Sequence, residues 1–164
     1  ESKQGLGRKS SINNLVVITL GTGIGGGLII DNKLYKGQGF AGEIGHILLG
    51  NKYLEKVSSG KYLKKLTKEK LGREMEIIDL LKLRTKEADM VLNEITENLA
   101  EAMGTLINLL NPDAIVLAGG FQEAGNRLLK LINIKLQKYT FVPCKTKLTW
   151  TKIQNPGIVG AGLL

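Results

Sequence analysis

Hydrophobic positions recur with two different periods along this chain. Residues 14–20, NLVVITL, form a short β-branched run stopped by glycine, which predicts a buried strand. Residues 27–35, GLIIDNKLY, repeat that pattern on both sides of Asp31 and Asn32, a turn-forming pair, so the two segments predict hairpin strands. From Ala88 to Leu110 the period lengthens. Val91, Leu92, Ile95, Leu99, Met103, Leu106, Ile107 and Leu110 recur at three- and four-residue steps, the stripe of an amphipathic helix. Asn111 and Pro112 end it, because proline disfavours helical geometry in the residue before it. Residues 114–120, AIVLAGG, predict a second buried strand closing on glycines, and QEAGNRLLKLINIKLQK, from Gln122, returns to helical spacing. TKLTWTKI, residues 146–153, alternates like a strand with one wetter face, and NPGIVGAGLL, from Asn155, reads as a turn opening a small-residue helix. Hairpin strands followed by alternating helix and strand, without internal repeat or long linker, predict a mixed α/β layer fold.

Composition narrows the class. At 164 residues and 43% apolar, the chain suits one core or one lobe of a larger protein. The lone Cys144 makes no internal disulfide and no multi-thiolate zinc site, which fits a reducing cytoplasm; as a thiol after Pro143 it reads as inert and buried. No charge-free run approaches the ~20 residues of a membrane helix. The opening ESKQGLGRKSS has no apolar signal core and does not start with Met, so the chain is expected to be entered partway through. A formal charge of +8 raises the possibility of a nucleic-acid partner. Lysines gather in KYLKKLTKEKLGR, residues 61–73, but acids are interleaved and no aromatics alternate with the bases, so a solvated helix face is the expectation there. Basicity also draws an anionic substrate such as a nucleotide.

Chemistry enters at the glycines. GTGIGGG, residues 21–27, joins two strand candidates; its N–H groups can face an anion at close range, and Thr22 adds a hydroxyl. The spacing contains G-x-G-x-x-G, yet strand rather than helix follows, and no Gly-Lys-Ser/Thr of a Walker loop is present. A ligand-free hairpin explains the loop as well. Gly119 and Gly120 close a strand before a helix, where α/β folds admit ligands, or where close packing alone requires glycine. His46, the one histidine, stands in GFAGEIGHILLGNKYLE, and the residues alone leave it open as metal ligand, proton shuttle, substrate contact or structural ring.

ITLGTGIGGGLIIDNKLYKGQGFAGEIGH, then YLEKVSSGKYL, INLLNPDAIVLAGGF and GIVGAGLL, in that order, resemble the ROK family of sugar kinases and sugar-responsive repressors. The resemblance implies an actin-like ATPase (ribonuclease-H-like) α/β fold, with residues 1–164 as the C-terminal lobe. The N-terminal lobe, with its own phosphate loop and the catalytic Asp of an Asn-Asp motif, would precede Glu1. None of Asp31 in a turn, Asp79 and Asp89 in charged helical stretches, or Asp113 opening a strand is an evident substitute for that general base.

By the same resemblance, Glu43, His46 and Glu55 contact sugar hydroxyls, Thr22 and Gly23 line the nucleotide phosphates, and Gly119 and Gly120 border the adenosine. Carboxylates accept from vicinal hydroxyls and a neutral imidazole both donates and accepts, so the set suits a sugar. In the family His46 also joins three cysteines around a structural zinc; here that segment is shortened, Tyr53 stands at the last cysteine's place, and no zinc is expected. Gln154 and Asn155 replace the acids usual before the final helix, and Trp150 reads as core. The implied activity is ATP- and Mg²⁺-dependent phosphorylation of a hexose, glucose or an N-acetylated hexosamine. A cytoplasmic homodimer is the family habit, with the 88–110 stripe open to an interlobe core or a partner subunit. The alternative is a sugar-responsive repressor that binds DNA through an added winged helix; Gly26, often alanine in ROK repressors, leans toward the kinase. A lone lobe that binds sugar or nucleotide without turnover is a third reading.

Overall fold

A computed structural model describes residues 12–141, 143 and 145–153. The expected hairpin is formed by β1 (Leu15–Leu20), β2 (Ile24–Ile30) and β3 (Lys33–Tyr35). Asp31 and Asn32 make the β2–β3 turn with φ of 52° and 61°, a left-handed geometry that short polar side chains tolerate. After a long helical excursion the chain returns as β6 (Ala114–Ala118), parallel to β1, and then as β7 (Lys147–Trp150), parallel to β6. The resulting order is β3-β2-β1-β6-β7. Between β3 and β6 lie a two-stranded hairpin, β4 (Leu48–Leu49) with β5 (Lys52–Tyr53), and helices α1 (Leu54–Ser58), α2 (Gly60–Leu71), α3 (Ile77–Lys82) and α4 (Lys86–Leu110). Helix α5 (Gly125–Leu136) connects β6 to β7.

Helix α4 organises the core. Thr85 caps its start, accepting the Ala88 N–H at 3.2 Å, and Asn111, with φ of 43°, ends it one residue before Pro112. The predicted stripe is buried inside this chain: Val91, Leu92, Ile95, Leu99, Met103, Leu106 and Ile107 pack with residues of β1, β6, α2 and α5. It is therefore committed to the core of this chain rather than to a partner surface. Each fully buried side chain of that kind contributes about 1.5–3 kcal/mol.

Three expectations need correction. Residues 14–20 were expected as a buried strand, but burial in β1 alternates: Val16, Ile18 and Leu20 face the helices while Leu15, Val17 and Thr19 remain partly or fully exposed. A helix covers only one face of an antiparallel pair, and the period of two follows. The strand expected over 114–120 ends at Ala118, and a 3-10 turn (Gly120–Ala124) delays α5 to Gly125. Trp150 is half-buried; its indole N–H donates to the Gly125 carbonyl at 2.9 Å, tying β7 to the start of α5. The Asn155 turn, the small-residue helix after it and Cys144 lie outside the described residues.

Candidate functional site

Most of GTGIGGG is strand. Gly25, Gly26 and Gly27 pair in register with Thr19, Ile18 and Val17, which leaves only Gly21–Gly23 as the turn. The reason for glycine at position 26 lies farther along the chain. A Cβ there would stand 2.3 Å from Ile44 Cδ1 and 2.9 Å from the Gly42 carbonyl, so its absence lets the segment carrying Glu43 and His46 lie directly on β2. Gly45 makes the second close approach, since a Cβ on it would meet the Ile24 carbonyl oxygen at 2.2 Å. Glu43 and His46 are thus pressed against the strand that leaves the Gly21–Gly23 turn.

Hairpin β4–β5 then folds the chain back. Leu48 pairs with Tyr53, and the Leu54 N–H donates to the Ile47 carbonyl at 2.8 Å, so α1 starts beside His46. Helix α1 is too short to hold itself; Leu54 and Val57 are buried, and the Asn98 side chain of α4 donates to the Val57 carbonyl at 3.0 Å. These contacts place Glu43, His46 and Glu55 together. His46 Nδ1 lies 3.5 Å from Glu43 Oε2, with 57% and 63% of the two side chains open to solvent, so both can still meet a ligand. The Tyr53 ring packs edge-on to His46, centroids 5.2 Å apart, and so ties β5 to the imidazole. Glu55 bonds Lys56 at 2.7 Å and is only 24% exposed. That bond above all, helped by the charges of Lys56, His46 and Lys61, holds its carboxyl below the usual carboxylate range despite partial burial. Glu55 is therefore an ionised acceptor at neutral pH.

The turn itself is braced by α2. The Gly60 N–H donates to the Gly21 carbonyl at 2.7 Å and the Lys61 N–H to the Thr22 carbonyl at 3.2 Å, while Ser59 caps the helix by accepting the Tyr62 N–H at 3.3 Å. Gly21 donates back to Gly23 at 3.0 Å. Among the described residues, the Thr22 and Gly23 amides have no acceptor in the chain. Gly119 sits beside the turn because β6 runs parallel to β1: with φ of 94°, it brings its α-carbon so close to Leu20 that a Cβ would lie 2.5 Å from the Leu20 carbonyl oxygen.

Two open clefts flank the turn. One, of about 670 Å³, runs over Gly21 and Thr22 to Lys61, Lys65, Gly120 and Phe121, with the paired Lys64–Glu76 and Lys68–Glu74 on its wall. The other, of about 710 Å³, runs over Thr22 and Gly23 to Glu55, Ser59, Lys61, Tyr62 and Lys65. Sequence reading singled out Thr22, Gly23, Glu55 and Gly120 on these walls but not Ser59, Tyr62, Lys61 or Lys65. The lysines lay in a segment expected to be a solvated face; the folding of α2 onto the turn directs part of it into the clefts. Among the described residues, no group of three or more His, Cys, Asp or Glu side chains converges on a metal position. Asp79 is paired with Lys82 at 2.9 Å, and Asp113 accepts the Asn13 and Asn14 N–H groups at 2.8 Å each, at the opposite ends of the strands from the turn.

The chain belongs to the ROK family, whose profile matches residues 2–164. It is 30% identical to a glucokinase of Halalkalibacterium halodurans, over 96% of this chain and 58% of that protein. It is 24% identical to a xylose repressor of Caldicellulosiruptor bescii, over 93% of this chain and 46% of that protein. In three dimensions it resembles a ROK hexokinase from Thermus thermophilus with a TM-score of 0.82 at 21% identity, over 96% of this chain and 60% of the other. The fold is accordingly the actin-like ATPase fold of ROK proteins. The chain spans about half to three-fifths of the length of these proteins. Among the described residues, no helix is long and apolar enough to cross a membrane.

Proposed function

We propose that this chain is the C-terminal lobe of an ATP-dependent sugar kinase, which transfers a phosphoryl group to a hydroxyl of glucose or an N-acetylated hexosamine. One observation carries the reading: the Thr22–Gly23 turn, with two unpaired amides and a hydroxyl, stands between a cleft ending at Gly120 and a cleft ending at Glu55. A phosphate held there has the nucleotide on one side and the sugar on the other. The similarity to a glucokinase over nearly the whole chain supports the same reading.

Within it, Thr22 and Gly23 donate to donor phosphates, and the open approach at Gly119 and Gly120 admits the adenosine. Glu43, His46 and Glu55 fix the sugar by hydrogen bonds to adjacent hydroxyls. The general base and the first phosphate loop are contributed by an N-terminal lobe, whose closure over the clefts excludes water from the reacting phosphate. Mg²⁺ serves such reactions by neutralising phosphate charge. The described residues of this lobe do not form a carboxylate cage for it, so in this reading the ion is carried by the donor phosphates and groups outside the lobe.

The test is hexose-dependent ADP release by the full-length protein. Release stimulated by glucose or an N-acetylhexosamine, and abolished in a variant lacking the base, supports the kinase. The xylose repressor similarity favours one other reading, a sugar-responsive DNA-binding protein. That reading predicts sugar binding without ADP release, together with sugar-dependent release of operator DNA.

A further inference from the structure

Comparison of the two cleft walls isolates three residues common to both: Thr22, Lys61 and Lys65. The lysines stand four residues apart on α2, hence on one face and about one turn apart. Their neighbours are neutralised: Lys64 pairs with Glu76 at 2.5 Å and Lys68 with Glu74 at 3.5 Å, both acids returning after the left-handed turn at Gly72. Among the described residues, Lys61 and Lys65 make no ion pair within 4 Å, although the charge of Lys61 reaches Glu55, and both are exposed. Two like charges at i and i+4 repel, so the helix is more stable when an anion lies between them. The amides at the start of α2 are not that anion's partners, because those of Gly60, Lys61, Tyr62 and Leu63 are already committed to Gly21, Thr22 and Ser59. Any anion in this place is held by side chains.

We infer that Lys61 and Lys65 form a cationic clamp across the Thr22 turn that grips the terminal phosphates of an oligophosphate donor and favours a triphosphate over a diphosphate. The inference rests on the kinase reading for the identity of the donor, but not for the anion site itself. A nucleoside diphosphate product, one charge poorer, leaves the clamp more readily. The lysines therefore act on donor affinity and product release.

Full-length protein is titrated with ATP, ADP and inorganic tripolyphosphate, as wild type, as Lys61→Gln/Lys65→Gln, as Lys61→Arg/Lys65→Arg, and as Lys130→Gln for general charge. The clamp predicts that the double Gln variant loses about tenfold or more in affinity for ATP and tripolyphosphate, less for ADP, with a shallower salt dependence. Arg restores the affinity, and Lys130→Gln changes nothing. Unchanged tripolyphosphate and ATP affinity in the double Gln variant overturns the clamp even if sugar phosphorylation is intact. Lysine-dependent tripolyphosphate binding by a protein that phosphorylates no sugar overturns the kinase reading and leaves the clamp standing.

Discussion

Gly45 is the position where a single methyl group most directly separates packing from ligand chemistry. Replacing it with alanine puts a Cβ 2.2 Å from the Ile24 carbonyl oxygen, where carbon–oxygen contacts normally begin near about 3.3 Å. The obstacle is backbone at the first residue of β2, so no side-chain rotation relieves it; either the strand end or the Gly42–His46 segment moves by roughly 1 Å. Overpacking of this kind costs about 1–3 kcal/mol, which for a chain of this size lowers Tm by about 2–12 °C. The same displacement draws Glu43 and His46 away from Glu55 and Gly23. A misplacement of about 1 Å costs on the order of 100-fold in kcat/KM for the sugar. Gly27→Ala is the control, because no heavy atom lies within 4 Å of its Cβ, and there stability holds or rises by about 0.5–1 kcal/mol. Thermal unfolding and hexose kinetics of the full-length variants provide the assay. A Gly45→Ala protein with wild-type Tm and wild-type hexose kcat/KM refutes the argument that the glycines exist to seat the Glu43–His46 segment, the proposed sugar site, on β2.

Further outcomes follow from the charged contacts. Glu97 of α4 accepts from Lys138, Tyr139 and Lys135, which hold its carboxyl at about 2, against an ordinary value of 4.5. A depressed folded value means that the stabilisation is complete above pH 4.5 and is lost as pH falls toward 2, so the Tm gap between wild type and Glu97→Gln should close over that window. A gap of constant size from pH 7 to pH 3 would contradict this assignment. Tyr62 donates to Glu94 at 2.6 Å, and burial first, then Glu94, push its phenol up to about 12. Tyr62→Phe should therefore cost about 1 kcal/mol in chemical denaturation, and an ultraviolet titration should lose a phenol ionising near pH 12 rather than near pH 10.

Periodic elements were legible in the sequence because their signal is local. The 3.6-residue stripe over Ala88 to Leu110, the turn at Asp31 and Asn32, and the β6 and β7 runs each declare themselves within a few residues. The glycine stretch was legible only in part. Whether a glycine makes a turn or clears space for another segment depends on what packs against it, and the partner of Gly26 is Ile44, beyond an intervening hairpin. The lysines of α2 show the same limit. Lys64 and Lys68 reach one cleft already paired with Glu76 and Glu74, while Lys61 and Lys65 reach both clefts without such pairing, a distinction fixed by where Glu74 and Glu76 return. Hairpin β4–β5 and helix α1 escaped notice because two-residue strands and a five-residue helix carry no period. The family motifs nonetheless pointed to Glu43, His46 and Glu55 as a set; Glu43 and His46 lie 3.5 Å apart and Glu55 packs beside Gly45 between them, while of the three only Glu55 lines a cleft.

The sugar site is tested most directly at His46, the one histidine of this chain. Nuclear magnetic resonance of the full-length protein, with the His46 imidazole signals assigned by their loss in a His46→Gln variant, would be followed during titration with glucose and N-acetylmannosamine. The account predicts a saturable shift of those signals by at least one of the two sugars, with the same midpoint as the sugar's KM for phosphorylation, and a loss of that saturation in Glu43→Gln. Imidazole signals that stay fixed while the protein phosphorylates either sugar would place the hexose elsewhere and contradict the assignment of Glu43, His46 and Glu55.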